Sequence, residues 1–227
     1  MFLKFHRVSK TGSDNVAIEI DRLVIAGWTG RNMDAIEHHI EELAALGIPR
    51  PSTTPLFYRV AAETFVRGNT LTVLGPDGSG EVEPVVVSMA DGLWVGIGSD
   101  HTDRKAEAQG IALSKQLCGK PVGDTLWRYD EVEGHWDDLV IRSWATIGGE
   151  RVLYQDSSIS ALRTPRDLIR RFSGADTLPV GTAMFCGTPG AIGGVRPASR
   201  FEMEIHDPVM SRSLKHAYDI DELPVVS

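Results

Sequence analysis

Three carboxylates, Glu81, Glu83 and Asp100, are the residues of this sequence whose types and spacing could perform chemistry. Glu81 and Glu83 open the β-branched run 82–89, and because successive side chains of a strand alternate between faces, both glutamates belong to one face. Asp100 follows the apolar run 93–97, which has the composition of a second strand. The pattern predicts two neighbouring strands whose acidic residues meet at one end.

A hairpin turn between the two runs decides how close these carboxylates come. Asp91-Gly92 is a strong signal for a two-residue turn, and with these residues at its centre Glu83 stands opposite Asp100. Directly opposed residues have Cβ atoms about 4.5–5.5 Å apart, and like charges destabilise such a pair unless a positive group lies between them. Together with Glu81, they would form an oxygen-only site suited to Mg²⁺, Mn²⁺ or Ca²⁺.

The alternative is that these carboxylates are solvated charges on an edge strand and hold no metal. Pro84 favours this alternative, because a proline within a strand is typical of an edge or of a β-bulge. A bulge would also shift the register of the hairpin by one residue. On this interpretation the chain is a structural subunit rather than an enzyme.

The composition limits the class of protein. The 227 residues make one large domain or two small ones, and the 23 glycines and 12 prolines favour a β-rich fold with many turns. A formal net charge of −8 argues against a nucleic-acid or anionic-membrane partner. Cys118 and Cys186 are too few for a disulfide framework or a zinc ligand set, and no signal-peptide core or membrane-spanning run is present. We therefore expect a cytoplasmic globular protein.

Two helices and a second hairpin are predicted around the acidic strands. A helix over 33–46 is capped by Asn32 or Asp34 and has the apolar stripe Ile36, Ile40 and Leu43. A helix over 103–117 has the apolar stripe Ala106, Gly110, Leu113 and Leu117. Gly148-Gly149 predicts a hairpin turn, and Thr164-Pro165 predicts the start of a short helix that runs through Phe172.

Four motifs in order resemble the fumarylacetoacetate hydrolase (FAH) superfamily. They are GEVEPVVV at 80–87, GIGSDHTDR at 96–104, GKPVGD at 119–124 and FCGTPGAIG at 185–193. That superfamily carries a Glu-x-Glu strand, an Asn-Asp-x-Ser-Ala-Arg-Asp segment, a Gly-Lys-Ser-x-Asp turn and a Gly-Thr-Pro-x-Gly-Val-Gly turn in the same order. In closer detail the sequence resembles the bacterial DUF2848 group.

The resemblance implies roles for individual residues. Glu81, Glu83 and Asp100 would ligate a divalent cation, Mg²⁺ or Mn²⁺, with Ca²⁺ as a further option. The family lysine corresponds to Lys120, a catalytic residue that would neutralise developing negative charge. The remaining correspondences are the substrate-binding residues Arg104 and Thr188.

A histidine and a glutamate on the first helix complete the implied site. The segment GRNMDAIEHHIEEL at 30–43 resembles the family's Gly-Arg-Asn-Tyr segment, which is followed by His-x-x-Glu on a mobile lid that activates water. The pair could be His38 with Glu41 or His39 with Glu42. Helix geometry favours His39 and Glu42, because His39 lies roughly 70° from the centre of the apolar stripe and His38 lies nearly opposite it. The alternative is a plain surface helix with charge pairs.

The resemblance also implies the fold. We expect an α+β, β-rich protein with a mixed β-sheet roll and a few peripheral helices. A single domain would cover 1–227, with 1–50 as an N-terminal strand-and-helix segment that could act as a lid. Relatives of this kind usually pair, so the resemblance also implies a homodimer.

The implied function is a metal-dependent hydrolase or lyase that acts on a small carboxylate substrate. The substrate would be a 2-oxo acid or a 1,3-dicarbonyl acid, and an enolate formed by C–C bond cleavage or decarboxylation would be stabilised by the cation. The alternative is a non-catalytic protein that binds a small acid and a metal on the same scaffold.

Overall fold

The computed structural model describes residues 2–45 and 50–226, without the side chains of His39, Glu42 and Leu43. In these ranges the strands are β1 (Phe2–Ser9), β2 (Gly12–Glu19), β3 (Arg22–Gly27), β4 (Leu56–Val60), β5 (Phe65–Val66), β6 (Thr70–Leu74), β7 (Gly78–Ser79), β8 (Val82–Met89), β9 (Gly92–Ser99), β10 (Thr102–Asp103), β11 (Lys120–Pro121), β12 (Thr125–Arg128), β13 (Val140–Ile147), β14 (Glu150–Ser158), β15 (Thr182–Phe185), β16 (Arg200–Asp207) and β17 (Arg212–Leu223). The α-helices are α1 (Met33–Ala45), α2 (Arg104–Glu107), α3 (Ile111–Leu117), α4 (Tyr129–Val132) and α5 (Pro165–Ser173). Short 3₁₀ helices cover Ala62–Thr64, Glu133–Asp138 and Ile159–Ala161.

Most of these strands form two sheets. The larger sheet has the order β2-β1-β12-β9-β8-β15-β3-β4 and is mixed, because β1 runs parallel to β12 and β3 runs parallel to β15. The smaller sheet has the order β14-β13-β16-β17-β6, in which β17 runs parallel to β6. The β-rich α+β fold with a mixed β-sheet roll and a few peripheral helices is therefore confirmed.

Strand β8, which carries Glu83, is buried on both faces. Val86 packs with Ile141 of the smaller sheet in one apolar cluster. Val85 packs on the opposite face in a second cluster that includes Phe185. This double burial explains why the strand is β-branched and apolar along most of its length.

The predicted hairpin is present between β8 and β9, but its turn is centred on Ala90 and Asp91 rather than on Asp91 and Gly92. The Asp91 carboxylate accepts a hydrogen bond from Trp94 Nε1 at 3.0 Å, which ties the turn to β9. Gly92 becomes the first residue of β9 and takes a φ of +123°, a conformation that favours glycine. The pairing is therefore shifted by two residues from the predicted register.

This shift changes the partners of the carboxylates without changing their face. Glu83 pairs with Gly98, so the prediction that Glu83 stands opposite Asp100 is wrong. Asp100 lies opposite Glu81 instead, and the Asp100 N–H donates to the Glu81 carbonyl at 3.0 Å. Because side chains alternate with a period of two, a two-residue shift leaves every side chain on its predicted face.

The edge-strand alternative is wrong, because β8 lies between β9 and β15. Pro84 is tolerated in this interior strand because it lies just before the residues of β8 that pair with β15. Its carbonyl faces the β15 side and accepts a hydrogen bond from Cys186 N at 3.0 Å, and pairing with β15 begins only at Val85. The N–H that Pro84 lacks would have pointed to the same side, so no hydrogen bond to β9 is lost.

Helices α1 and α5 begin as the sequence predicts. Asn32 Oδ1 accepts a hydrogen bond from Ala35 N at 3.1 Å at the start of α1, and Ile36 and Ile40 are buried. Thr164 Oγ1 caps α5 by accepting from Asp167 N. The predicted end of the first helix, with Gly47 and Pro49, lies outside the described residues, as does the Leu43 side chain.

The predicted helix over 103–117 is instead two helices, α2 and α3. The helical conformation is interrupted at Gly110, which has an extended backbone with a φ of 165°. The predicted apolar stripe is wrong as well, because the side chains of Leu113 and Leu117 are exposed whereas Ser114 and Lys115 are buried. The break turns α3 so that its polar residues face the sheets.

Among the described residues, no helix has the length and apolar character needed to cross a membrane.

Candidate functional site

The three acidic residues meet at the end of the β8–β9 hairpin. Glu81 precedes β8, Glu83 lies on it, and Asp100 follows β9. One carboxylate oxygen from each residue lies within 4.8 Å of the other two. Glu83 is 2% exposed and Asp100 is completely buried. The structure thus brings together the three residues that the sequence grouped, with Glu81 at the more accessible side.

Glu83 is held by a single backbone donor in a buried position. The Gly187 N–H, from the turn that follows β15, donates to Glu83 Oε2 at 2.7 Å. Burial raises the pKa of Glu83 well above its usual range, and the negative charge of Asp100 raises it further. A carboxyl group in this situation gains stability from a proton or from a positive ion close by.

Asp100 is flanked by two lysines. Lys115 Nζ donates to Asp100 Oδ2, and Lys120 Nζ lies 3.0 Å from Oδ1. Burial alone would raise the pKa of Asp100, but the two ammonium groups outweigh this effect and lower it. Asp100 is therefore a carboxylate whose charge is balanced within the protein.

The predicted catalytic residue Lys120 is completely buried behind Asp100. Its ammonium group forms an ion pair with Asp100 and donates a hydrogen bond to the backbone carbonyl of His101. Burial lowers the pKa of Lys120, and the Asp100 charge partly offsets that effect. These contacts fit a residue that positions Asp100.

Arg104, predicted to bind substrate, is directed onto protein carboxylates. Its Nη2 lies 3.1 Å from Glu81 Oε1, its Nη1 donates to Glu107 Oε2 at 3.0 Å, and its Nε donates to Ser79 Oγ at 2.7 Å. Burial would lower the pKa of Arg104, but the charges of Glu81 and Glu107 outweigh it and raise it. The guanidinium group thus fixes the orientation of Glu81.

Thr188, predicted to bind substrate, lies beside the start of β8. Its hydroxyl donates to the Val82 carbonyl at 2.8 Å and accepts from Gln155 Nε2 at 2.8 Å. Gln155 Oε1 in turn accepts from Val82 N at 3.0 Å and from Ser143 Oγ at 2.8 Å. No sequence motif pointed to Gln155, a residue of β14 whose side-chain hydrogen bonds connect β8 with β13.

His101, next to Asp100, is structural. Its Nδ1 lies 3.0 Å from the Tyr218 hydroxyl, and its Nε2 lies so close to Gly78 that a Cβ there would be 2.6 Å away. Burial lowers the pKa of His101 to about 3, with a further contribution from Lys120. The neutral ring fills space behind the site.

A cavity of about 460 Å³ opens in front of the carboxylates. Glu81, Glu83 and Asp100 form part of its wall, and Thr188 lies beside them. The rest of the wall is largely apolar and includes Trp28, Ile36, Ile111, Leu162 and Pro189. An arrangement of a few polar groups at one end of an apolar cleft is typical of small-molecule sites.

Helix α1, which carries the predicted histidine–glutamate pair, borders this cavity. Asn32, which caps the helix, lines the wall together with Ala35 and Ile36 from the first turns. The side chain of His38 is exposed. The side chains of His39 and Glu42 lie outside the described residues, so their predicted role stays a prediction.

Lys115 is a residue of the candidate site that the sequence interpretation missed. It lines the cavity, contacts Asp100 and is 7% exposed. Gly110 is the feature of the sequence that could have indicated this position. A new helix that begins after this glycine can direct Lys115 toward the sheets instead of Leu113 or Leu117.

We expect Gly187→Ala to destabilise the fold by about 2–4 kcal/mol, because two costs combine at this position. Gly187 has a φ of +99°, and a Cβ would lie 1.7 Å from Thr29 Oγ1. Urea unfolding measures the change, with Gly190→Ala as control because a Cβ there meets nothing within 4 Å. Equal losses in the two variants would show that the turn at Gly187 adapts.

Comparison with models of known protein families identifies the family of this sequence. A family model described as "Protein of unknown function (DUF2848)" matches residues 26–218. The chain belongs to the DUF2848 family. The matched segment contains the carboxylate cluster, both lysines and the cavity wall from Ala26 onward. A search of curated protein sequences finds no significant match.

Solved structures similar to this DUF2848 protein share its fold at low sequence identity. A structure of Cg1458 is 16% identical with a TM-score of 0.66, and the alignment covers 98% of this chain and 100% of that one. A 2-keto-3-deoxy-D-arabinonate dehydratase complexed with magnesium and 2,5-dioxopentanoate is 16% identical with a TM-score of 0.64, covering 93% of this chain and 78% of that one. At this identity the likeness establishes the common fold.

Proposed function

We propose that this DUF2848 protein is a divalent-cation-dependent enzyme of the FAH type that acts on a small 2-oxo acid or 1,3-dicarbonyl acid. The observation that carries the proposal is the meeting of Glu81, Glu83 and Asp100 at the wall of the cavity. The dehydratase of similar fold, which was crystallised with magnesium and an oxo compound, supports it. The reaction would be C–C bond cleavage or decarboxylation.

The residues present fit a divalent cation. The three donors are carboxylate oxygens, which Mg²⁺ and Mn²⁺ prefer, and Ca²⁺ accepts the same set. Two of these carboxylates are buried, and Asp100 Oδ1 has no well-oriented hydrogen bond although Lys120 is near. Burial and the charge of Asp100 make the charged form of Glu83 costly, so a cation beside Glu83 would offset that cost.

The surrounding residues have separable tasks in this proposal. Arg104 holds Glu81 and Lys120 holds Asp100, so both carboxylates keep their orientation. A bound cation would supply Lewis acidity toward the oxygens of the substrate. His39, oriented by Glu42, is proposed to move a proton.

A turnover assay tests this proposal. Chelator-treated protein would be incubated with a panel of 2-oxo acids and acylpyruvates, with and without Mg²⁺ or Mn²⁺, and products would be identified by mass spectrometry. We expect at least one compound to be converted, and only when the cation is present. Cation binding without conversion of any compound would favour the non-catalytic binding protein instead.

A further inference from the structure

Lys115 contacts Asp100 and also lines the cavity, where a substrate could reach its ammonium group. The charged side chains at the cavity wall, among the described residues, are the carboxylates of Glu81, Glu83, Asp100 and Glu107 and the ammonium group of Lys115. Arg104 and Lys120 do not line the cavity, and each is paired with a carboxylate of the cluster, Arg104 with Glu81 and Lys120 with Asp100. A negatively charged substrate would therefore meet four carboxylates and one lysine.

The contact between Lys115 and Asp100 places a positive charge where the proposed cation would bind. Lys115 Nζ donates to Asp100 Oδ2. The two groups form an ion pair, and the Asp100 side chain is completely buried, so the positive charge of Lys115 stands directly at this carboxylate. The ammonium group thus acts as counter-ion for the cluster in the protein without a metal.

Lys115 differs from Lys120 in its freedom to move. Lys120 is completely buried and is also bonded to the His101 carbonyl. Lys115 is slightly exposed at the cavity wall, and its Nζ lies 5.9 Å from the centroid of the Tyr58 ring, which lines the same cavity. A shift of the flexible lysine away from Asp100 keeps the ammonium group beside an aromatic face.

We propose that Lys115 is an exchangeable counter-ion, which leaves Asp100 when a divalent cation binds and then binds the carboxylate of the substrate. This inference rests on the proposed function, because it requires a cation at the carboxylate cluster. It assigns the recognition of the negatively charged substrate to a residue outside the four family motifs. Lys115 is then a substrate-binding residue of the cavity.

The first test is Mn²⁺ binding measured by calorimetry on chelator-treated protein. Lys115→Met removes a competing positive charge, so we expect it to bind Mn²⁺ about tenfold more tightly than the wild type. Lys115→Gln keeps a hydrogen-bond donor without the charge and should show the same gain if the methionine variant does not fold. Lys105→Met is the matched control, because it removes an exposed charge from neighbouring α2 and should leave the affinity unchanged.

The second test is pyruvate binding to the Mn²⁺-saturated protein. We expect Lys115→Met to weaken pyruvate binding at least tenfold, although it strengthens Mn²⁺ binding. A residue that only stabilised the fold would not move the two affinities in opposite directions. Thermal melts provide a further check. Without Mn²⁺ the Lys115→Met variant should melt at a lower temperature than the wild type. Saturating Mn²⁺ should raise the melting temperature of the variant by more than it raises that of the wild type.

Each outcome has a distinct meaning. If the wild type does not bind Mn²⁺, the proposed function and this inference both fail. If the wild type binds Mn²⁺ and the Lys115 variants bind it equally or more weakly, the inference fails while the metal site stands. If pyruvate does not bind the Mn²⁺-loaded wild type, the carboxylate-binding role of Lys115 is overturned and the exchange at Asp100 rests on the Mn²⁺ affinities.

Discussion

Glu83→Gln is expected to abolish the rise in melting temperature that Mg²⁺ gives the wild-type protein. A cation that binds only the folded state stabilises it by about 2.7 kcal/mol at a concentration of 100 times its Kd. Glu83 supplies the most enclosed oxygen donor next to Asp100, and the neutral amide has no charge with which to hold a cation. Turnover of any substrate found should fall with the loss of the cation, by 10³-fold or more as an order-of-magnitude estimate.

The same variant should not be less stable than the wild type when Mg²⁺ is absent. Burial and the charge of Asp100 raise the pKa of Glu83, which means that its charged form is a cost to the folded state. The amide removes this cost and can still accept the Gly187 N–H. Thermal melts with and without Mg²⁺ measure both effects, and Glu63→Gln is the control because Glu63 is exposed. A full Mg²⁺ response in Glu83→Gln would place the cation elsewhere.

The carboxylate cluster could be predicted from the sequence because it depends on local rules. A turn signal between two apolar runs specifies a hairpin, and the alternation of side chains specifies which residues share a face. The turn position was wrong by one residue, which changed the pairing by two and exchanged Glu83 for Glu81 opposite Asp100. The prediction of the cluster still holds, because Glu81 and Glu83 lie on the same face of the sheet and a two-residue shift does not change that face.

The position of Lys115 could not be predicted in the same way, because it depends on tertiary packing. Helical periodicity assigned Leu113 and Leu117 to the buried side, but the break at Gly110 rotates α3 and leaves both leucines exposed. The ion pair with Asp100 then holds Lys115 on the buried side of α3, at a position that the predicted stripe did not include. Pairing between distant strands, such as β3 with β15, likewise has no local signal.

His39→Ala is expected to reduce kcat by about 10²–10⁴-fold, the usual contribution of general acid–base catalysis. Helix α1 borders the cavity through Ala35 and Ile36, and His39 follows these residues by four and three positions. Residues at these spacings share a face of a helix, so His39 falls on the side of the helix that meets the cavity. The same prediction assigns Glu42, three residues further along the chain, to orient the imidazole of His39.

His38→Ala is the matched control, because it removes the same imidazole from the neighbouring position, where the side chain is exposed. Its effect should stay within about 0.5 kcal/mol, as for most surface changes. The Mg²⁺-dependent rise in melting temperature should survive in both variants, since neither histidine belongs to the carboxylate cluster. If His38→Ala is the crippled variant, the pair is His38 with Glu41. If both variants retain the wild-type kcat, α1 only lines the cavity, and the group that transfers the proton lies on another element.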